Sequence, residues 1–112
     1  MLNDTNAEKI RSLNDRFRRG LVLGGTVLLT PGVTSLEPDS LAQLLESVRK
    51  FDNFTPDNDP YGEHDFGSID HESDRYFFKI DYYDQSRAMG SPDPADPTVT
   101  QRVMTIMRAD EY

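Results

Sequence analysis

The sequence predicts an α+β fold: one small domain with two helices packed on one face of a four-stranded, largely antiparallel sheet. Three observations lead there. Two stretches in the first half carry apolar residues at helical spacing, a block in the second half alternates with the period of a strand, and turn-forming residues separate the elements. With 112 residues the chain can bury one core and not two, because the buried fraction of surface falls steeply as chains shrink. A single domain over residues 1–112 is expected, with residues 1–5 flexible and long irregular loops at 52–62 and 85–98.

Thr5 and Glu8 have the spacing of a capping box, in which each side chain satisfies a backbone N–H at a helix start. A first helix begins there. Ile10, Leu13 and Phe17 share one stripe, Lys9, Arg11, Arg16 and Arg18 fall elsewhere, and Gly20 follows as a stop. "GTVLLTPGV" is rich in β-branched and aliphatic residues and ends at a Pro-Gly turn, so 26–30 is expected to be a strand buried on both faces and central in its sheet. Pro38 suits the first turn of a second helix over 38–51, where Leu41, Leu44, Leu45, Val48 and Phe51 recur at helical spacing.

Residues 52–62 are crowded with Asn, Asp, Pro and Gly, each a local reason to leave regular structure. "HDFGSID" then reads as a short strand joined through "DHESD" to "RYFFKIDYYD". In the latter, Tyr76, Phe78, Ile80 and Tyr82 fall on the core face, and Phe77, Lys79, Asp81 and Tyr83 on the other. The prolines of "SPDPADP" cannot donate to a sheet ladder, so that segment is irregular. The closing "TVTQRVMTIMRADEY" fits helix or strand by length, and Val99, Val103, Thr105 and Ile106 favour strand.

Composition narrows the function classes. No apolar run approaches the roughly 20 residues that span a bilayer. The basic start and apolar stretch of a secretory signal are absent, so a cytoplasmic chain without membrane contact is expected. There is no cysteine, which excludes disulfides and thiolate chemistry. Residues 1–50 carry a net charge of +1 and residues 51–112 carry −9, giving −8 in all. An acidic half repels phosphates and attracts cations and basic protein surfaces, which argues against direct nucleic-acid binding.

Chemistry, if present, concentrates in "NDPYGEHDFG", residues 58–67. Asp57, Asp59 and Gly62 match three positions of an EF-hand loop, but Tyr61 and Ser68 stand where ligands are required. A divalent metal would instead need His64 with Glu63, Asp65, Asp59 or His71, a donor set suited to zinc, manganese or iron. In a strand, however, His64 and Asp65 would point to opposite faces. Acid and base catalysis by His64, oriented by Glu63 or Asp65, is a further option beside a purely structural hydrogen-bond network closed by Asx turns at Asn58 and Asp59. "DFG" and "LGG" lack the companion motifs of a kinase or a nucleotide-binding loop. Tyr61, Tyr82 and Tyr83 suit either packing or a binding surface.

The blocks "LNDRFR", "LTPGV", "NDPYGEHDFG", "FFKIDYYD", "GSPDPADP" and "RVMTIMRADEY" resemble a family of small bacterial proteins classed as domain of unknown function family 3768. The similarity runs over residues 12–112. In that family Leu is more usual where Met104 and Arg108 stand. The resemblance implies a compact protein with residues 58–67 as its signature block, and it implies no activity, cofactor or catalytic residue.

Two readings of function follow. The first is a non-enzymatic acidic module that binds a basic protein surface and imitates the charge of nucleic acid, with Asn58, Asp59, Tyr61, His64, Asp65, Lys79, Asp81 and Tyr83 as contact residues. It needs no cofactor and is compatible with a homodimer formed through a strand edge. The second is a small enzyme, metal-assisted or acid/base, centred on Glu63, His64 and Asp65.

Overall fold

The structure, a computed structural model, describes residues 6–21 and 23–112. Helix α1 (Asn6–Gly20) leads to strand β1 (Thr26–Leu29), helix α2 (Pro31–Thr34) and helix α3 (Pro38–Lys50). Strands β2 (Phe66–His71), β3 (Asp74–Tyr83) and β4 (Gln101–Arg108) follow, and a 3-10 turn (Ala109–Glu111) ends the chain. The strands form one sheet in the order β1-β4-β3-β2. β3 is antiparallel to both β2 and β4, whereas β1 runs parallel to β4. The α+β class holds, with a mixed sheet and one helix more than expected. Among the described residues no helix is long and apolar enough to cross a membrane.

Residues at i, i+4, i+7 and i+8 on α1 face inward: Ile10, Asn14, Phe17 and Arg18. Arg18 thus departs from its expected place on the solvent side and is fully buried. Its guanidinium is accommodated because it donates to Phe51 O and Asp15 Oδ1, both at 3.0 Å, and lies over the rings of Phe54 and Phe78. The capping box at Thr5 and the flexibility of residues 1–5 fall outside the described residues.

β1 is an edge strand, not a central one. Its aliphatic run carries no two-residue period, so the sequence could not show which face is open: Val27 and Leu29 pack on the core while Leu28 is 50% exposed. "TPGV" closes a helical turn in place of a simple β-turn, with Thr30 O accepting the N–H groups of Val33 and Thr34. Pro31 tolerates this because its missing N–H would have had no partner there.

α3 delivers Leu44 and Val48 to a core shared with Phe17, Val33, Tyr76, Phe78, Ile80, Met104 and Ile106. Tyr76, Phe78 and Ile80 alternate inward on β3 as the sequence pattern requires, with Tyr82 packed at the edge of the same cluster. The second sheet face carries Phe66 and Phe77, whose centroids lie 5.0 Å apart, with Tyr112 against both. β4 confirms the strand reading of the last segment, its register running from Tyr76 opposite Arg108 to Tyr83 opposite Gln101.

Candidate functional site

Residues 58–65 fold back against α1, held by one buried carboxylate. Asp59 is 8% exposed, and its Oδ1 accepts the N–H groups of Glu63 and His64, each at 3.2 Å. This places Gly62 at φ 69° and His64 at φ 58°, both left-handed. The strand therefore starts at Phe66, not at His64, and the opposed-face argument for His64 and Asp65 does not apply. Asn58 closes its own turn by accepting Thr55 N and donating to Asn53 O.

The left-handed backbone turns the His64 ring toward α1. Its Nδ1 lies 2.8 Å from Asp15 Oδ1, its Nε2 lies 3.7 Å from Asp59 Oδ2, and its face stacks on Phe54 at 3.8 Å. Both ring nitrogens therefore face carboxylates, leaving neither aimed at an open cleft. Burial pushes the Asp15 carboxyl up, but hydrogen bonds and charge from His64 and Arg18 outweigh it and leave it below 3.8.

Beside this pair lies a second network. The Asn14 amide donates to Glu63 O (3.0 Å) and to the Tyr82 hydroxyl oxygen (2.8 Å), while Asn14 Oδ1 accepts from Arg102 Nε (2.9 Å). Tyr82 in turn donates to Glu63 Oε1 at 2.9 Å. Burial, with the nearby Asp65 and Glu63 charges, drives the Tyr82 phenol far above its usual range and keeps it a hydroxyl. Glu63, named as a catalytic candidate, is thus an acceptor that fixes Tyr82.

Asp65 behaves differently. It joins no ion pair among the described residues. Burial raises its carboxyl above the usual range, the charges of Glu63, Asp59 and Asp81 add to the rise, and its own backbone N–H offsets only part. Asp59, Glu63, Asp65 and Asp81 thus form one electrostatic group, although Asp81 projects from the second sheet face, where Lys79 pairs with it at 3.2 Å. Tyr83 shares that face. Tyr61 is 79% exposed and Asn58 is also exposed, so neither belongs to the network.

Among the described residues no group of three or more His, Asp or Glu side chains is arranged to hold a metal ion. His71 stands apart from His64: its Nε2 lies 2.9 Å from Ser40 Oγ, and Ser40 donates to Glu72 Oε1 at 2.7 Å. That order differs from a hydrolase triad, since the serine proton is directed at the carboxylate and not at the imidazole. Asn14, Asp15, Arg18, Ser40 and Arg102 were not singled out by the sequence reading. The available signal was the set of polar residues at 14 and 18, in phase with Ile10 and Phe17.

The family model described as Protein of unknown function (DUF3768) matches residues 29–111. The chain belongs to this family. The match begins at the first residue of "LTPGV" and takes in the signature loop and all of β2, β3 and β4, whereas "LNDRFR" on α1 lies outside it. The family's loop therefore docks, in this chain, on a helix beyond the matched region. No curated protein and no solved structure matches the chain.

Proposed function

We propose that this chain is a non-enzymatic interaction module of the cytoplasm that docks a basic protein surface against the carboxylates around Asp65. The observation that carries this reading is Asp65 itself: a partly buried carboxyl that joins no ion pair among the described residues, with Glu63, Asp59 and the Lys79-paired Asp81 around it. Concentrating like charge costs free energy that an incoming Arg or Lys would recover. Four basic side chains of the first half are engaged elsewhere, since Arg18 pairs with Asp15, Arg49 and Lys50 pair with Glu46, and Arg11 donates to the Gly62 carbonyl. Phosphate backbones are disfavoured by the same field.

The residues proposed for catalysis support this reading, because Glu63 and His64 are each engaged by side chains of their own fold. The test is fluorescence anisotropy of a labelled Arg-rich peptide against the protein at rising salt. An Asp65→Asn/Asp81→Asn variant is compared with the charge-matched Asp52→Asn/Asp57→Asn variant. The first should weaken binding about tenfold and flatten its salt dependence, and the second should do neither. Equal losses in both would reduce the effect to net charge and sink the site.

A further inference from the structure

A cleft of about 450 Å³ opens between α1, residues 23–25 and residues 97–102. Its walls are apolar at Leu13, Phe17, Leu23 and Pro97, and its charged members are Arg16 and Arg102. No Asp or Glu lines it, in a chain where acids outnumber bases 20 to 12. The size lies within the range of pockets that enclose small molecules.

Arg102 is the unusual member. It is 3% exposed, and its partners are all neutral: Asn14 Oδ1, the Pro94 carbonyl and the face of Tyr82. Burial lowers its proton affinity, and Tyr82 and Glu63 act against that. A guanidinium taken out of water without a carboxylate is costly, and an anion arriving in the cleft offsets the cost. Arg16 makes no hydrogen bond or ion pair among the described residues and stands at the same opening. Leu23 is 74% exposed at the rim, an apolar surface that a bound apolar group would cover.

We infer that this cleft binds a small organic carboxylate, its anionic end held by Arg102 and Arg16 and its apolar body lying between Phe17, Leu23 and Pro97. A planar carboxylate fits the guanidinium fork, and the predominantly apolar walls favour a ligand with one charged end over a polyanion. Arg102 touches the Asn14 network that reaches Glu63, but none of Glu63, Asp65 and Asp81 lines the cleft, and the inference does not depend on their role.

The experiment is an NMR titration of amide shifts in the full chain with 3-phenylpropionate, the matched alcohol 3-phenylpropanol, and 2-phenylethyl phosphate. The expected result is saturable shifts at Gly24, Gly25, Thr100, Gln101 and Arg102 for the carboxylate, with a Kd of about 1 mM or tighter. The alcohol should not saturate. Arg16→Gln, a surface change that leaves the core intact, should weaken the carboxylate about fivefold, and a folded Arg102→Gln should abolish its binding. Equal binding of the alcohol, preference for the phosphate, undiminished binding in both arginine variants, or no saturation by the carboxylate would each overturn the assignment.

Discussion

The imidazole of His64 meets the carboxylate of Asp15 at 2.8 Å across forty-nine positions of sequence, joining the signature loop to α1. Arg18 holds the same Asp15 oxygen at 3.0 Å, so one carboxylate organises a loop and a helix together. Asp15→Asn should therefore lower stability by about 2 kcal/mol, the loss expected for charge-assisted hydrogen bonds. The pH dependence has a definite sign. Because Asp15 titrates below 3.8 in the fold, its stabilisation is complete above that value and disappears as pH falls through the folded one. Urea unfolding should show a clear gap between variant and parent near neutrality, narrowing as the pH falls below 3.8.

Asn14 is completely buried and makes three hydrogen bonds, to Glu63, Tyr82 and Arg102. Asn14→Ala strands all three partners, including a buried guanidinium, and should cost about 3 kcal/mol. Tyr82→Phe removes only the hydroxyl between Asn14 and Glu63 and should cost about 1 kcal/mol. Double-mutant analysis by chemical denaturation should give strong coupling between the two, whereas additive losses would show that they do not act as one network.

These two residues show what the sequence could express about its own fold. The β3 alternation and the α3 stripe were legible because one residue type reports burial and the period reports geometry. Asn14 and Arg18 were not, because polarity alone places them in solvent and their burial depends on partners at 51, 63, 82 and 102. β1 failed for another reason: an aliphatic run suits an edge strand with one covered face as well as a central one. In the loop, the density of ionisable groups was visible, but the left-handed backbone at His64 that points its ring at Asp15 has no glycine to announce it.

Gly67 sits opposite Phe78 in the β2–β3 ladder. A Cβ there would overlap the Phe78 ring and come within 2.9 Å of Phe51, and Phe78 is fully buried. Gly67→Ala is expected to destabilise by at least about 2 kcal/mol through overpacking. Thermal unfolding with a companion Phe78→Leu change would check the cause, since the smaller side chain should restore part of the loss.

The two-residue turn between β2 and β3 uses Glu72 and Ser73 at φ 51° and 71°, left-handed values that favour Asn and Gly. Glu72 has a reason to remain, because its carboxylate accepts the Ser40 hydroxyl and ties the hairpin to α3. Ser73 has none in its side chain that offsets the strain. Ser73→Gly should stabilise the protein by up to about 1 kcal/mol, while Glu72→Gly gains backbone freedom and loses the α3 tether, giving little or no net gain. Equal gains from both substitutions would show the tether to be without energetic weight.

Asp65 gives the prediction that links stability to recognition. Burial first, then the charges of Glu63, Asp59 and Asp81, raise its carboxyl above 3.8 in the folded chain. The unfolded chain therefore releases this proton more readily, so Asp65 imposes no penalty below 3.8 and an increasing one as pH climbs through its folded value. Asp65→Asn should consequently stabilise the protein at neutral pH by roughly 0.5–2 kcal/mol, with the advantage shrinking in acid. The same substitution should weaken the Arg-rich peptide, because the repulsion it relieves is what a basic partner would otherwise neutralise. A variant that gained stability at neutral pH yet bound the peptide as well as the parent would separate the two effects and place recognition elsewhere on the surface.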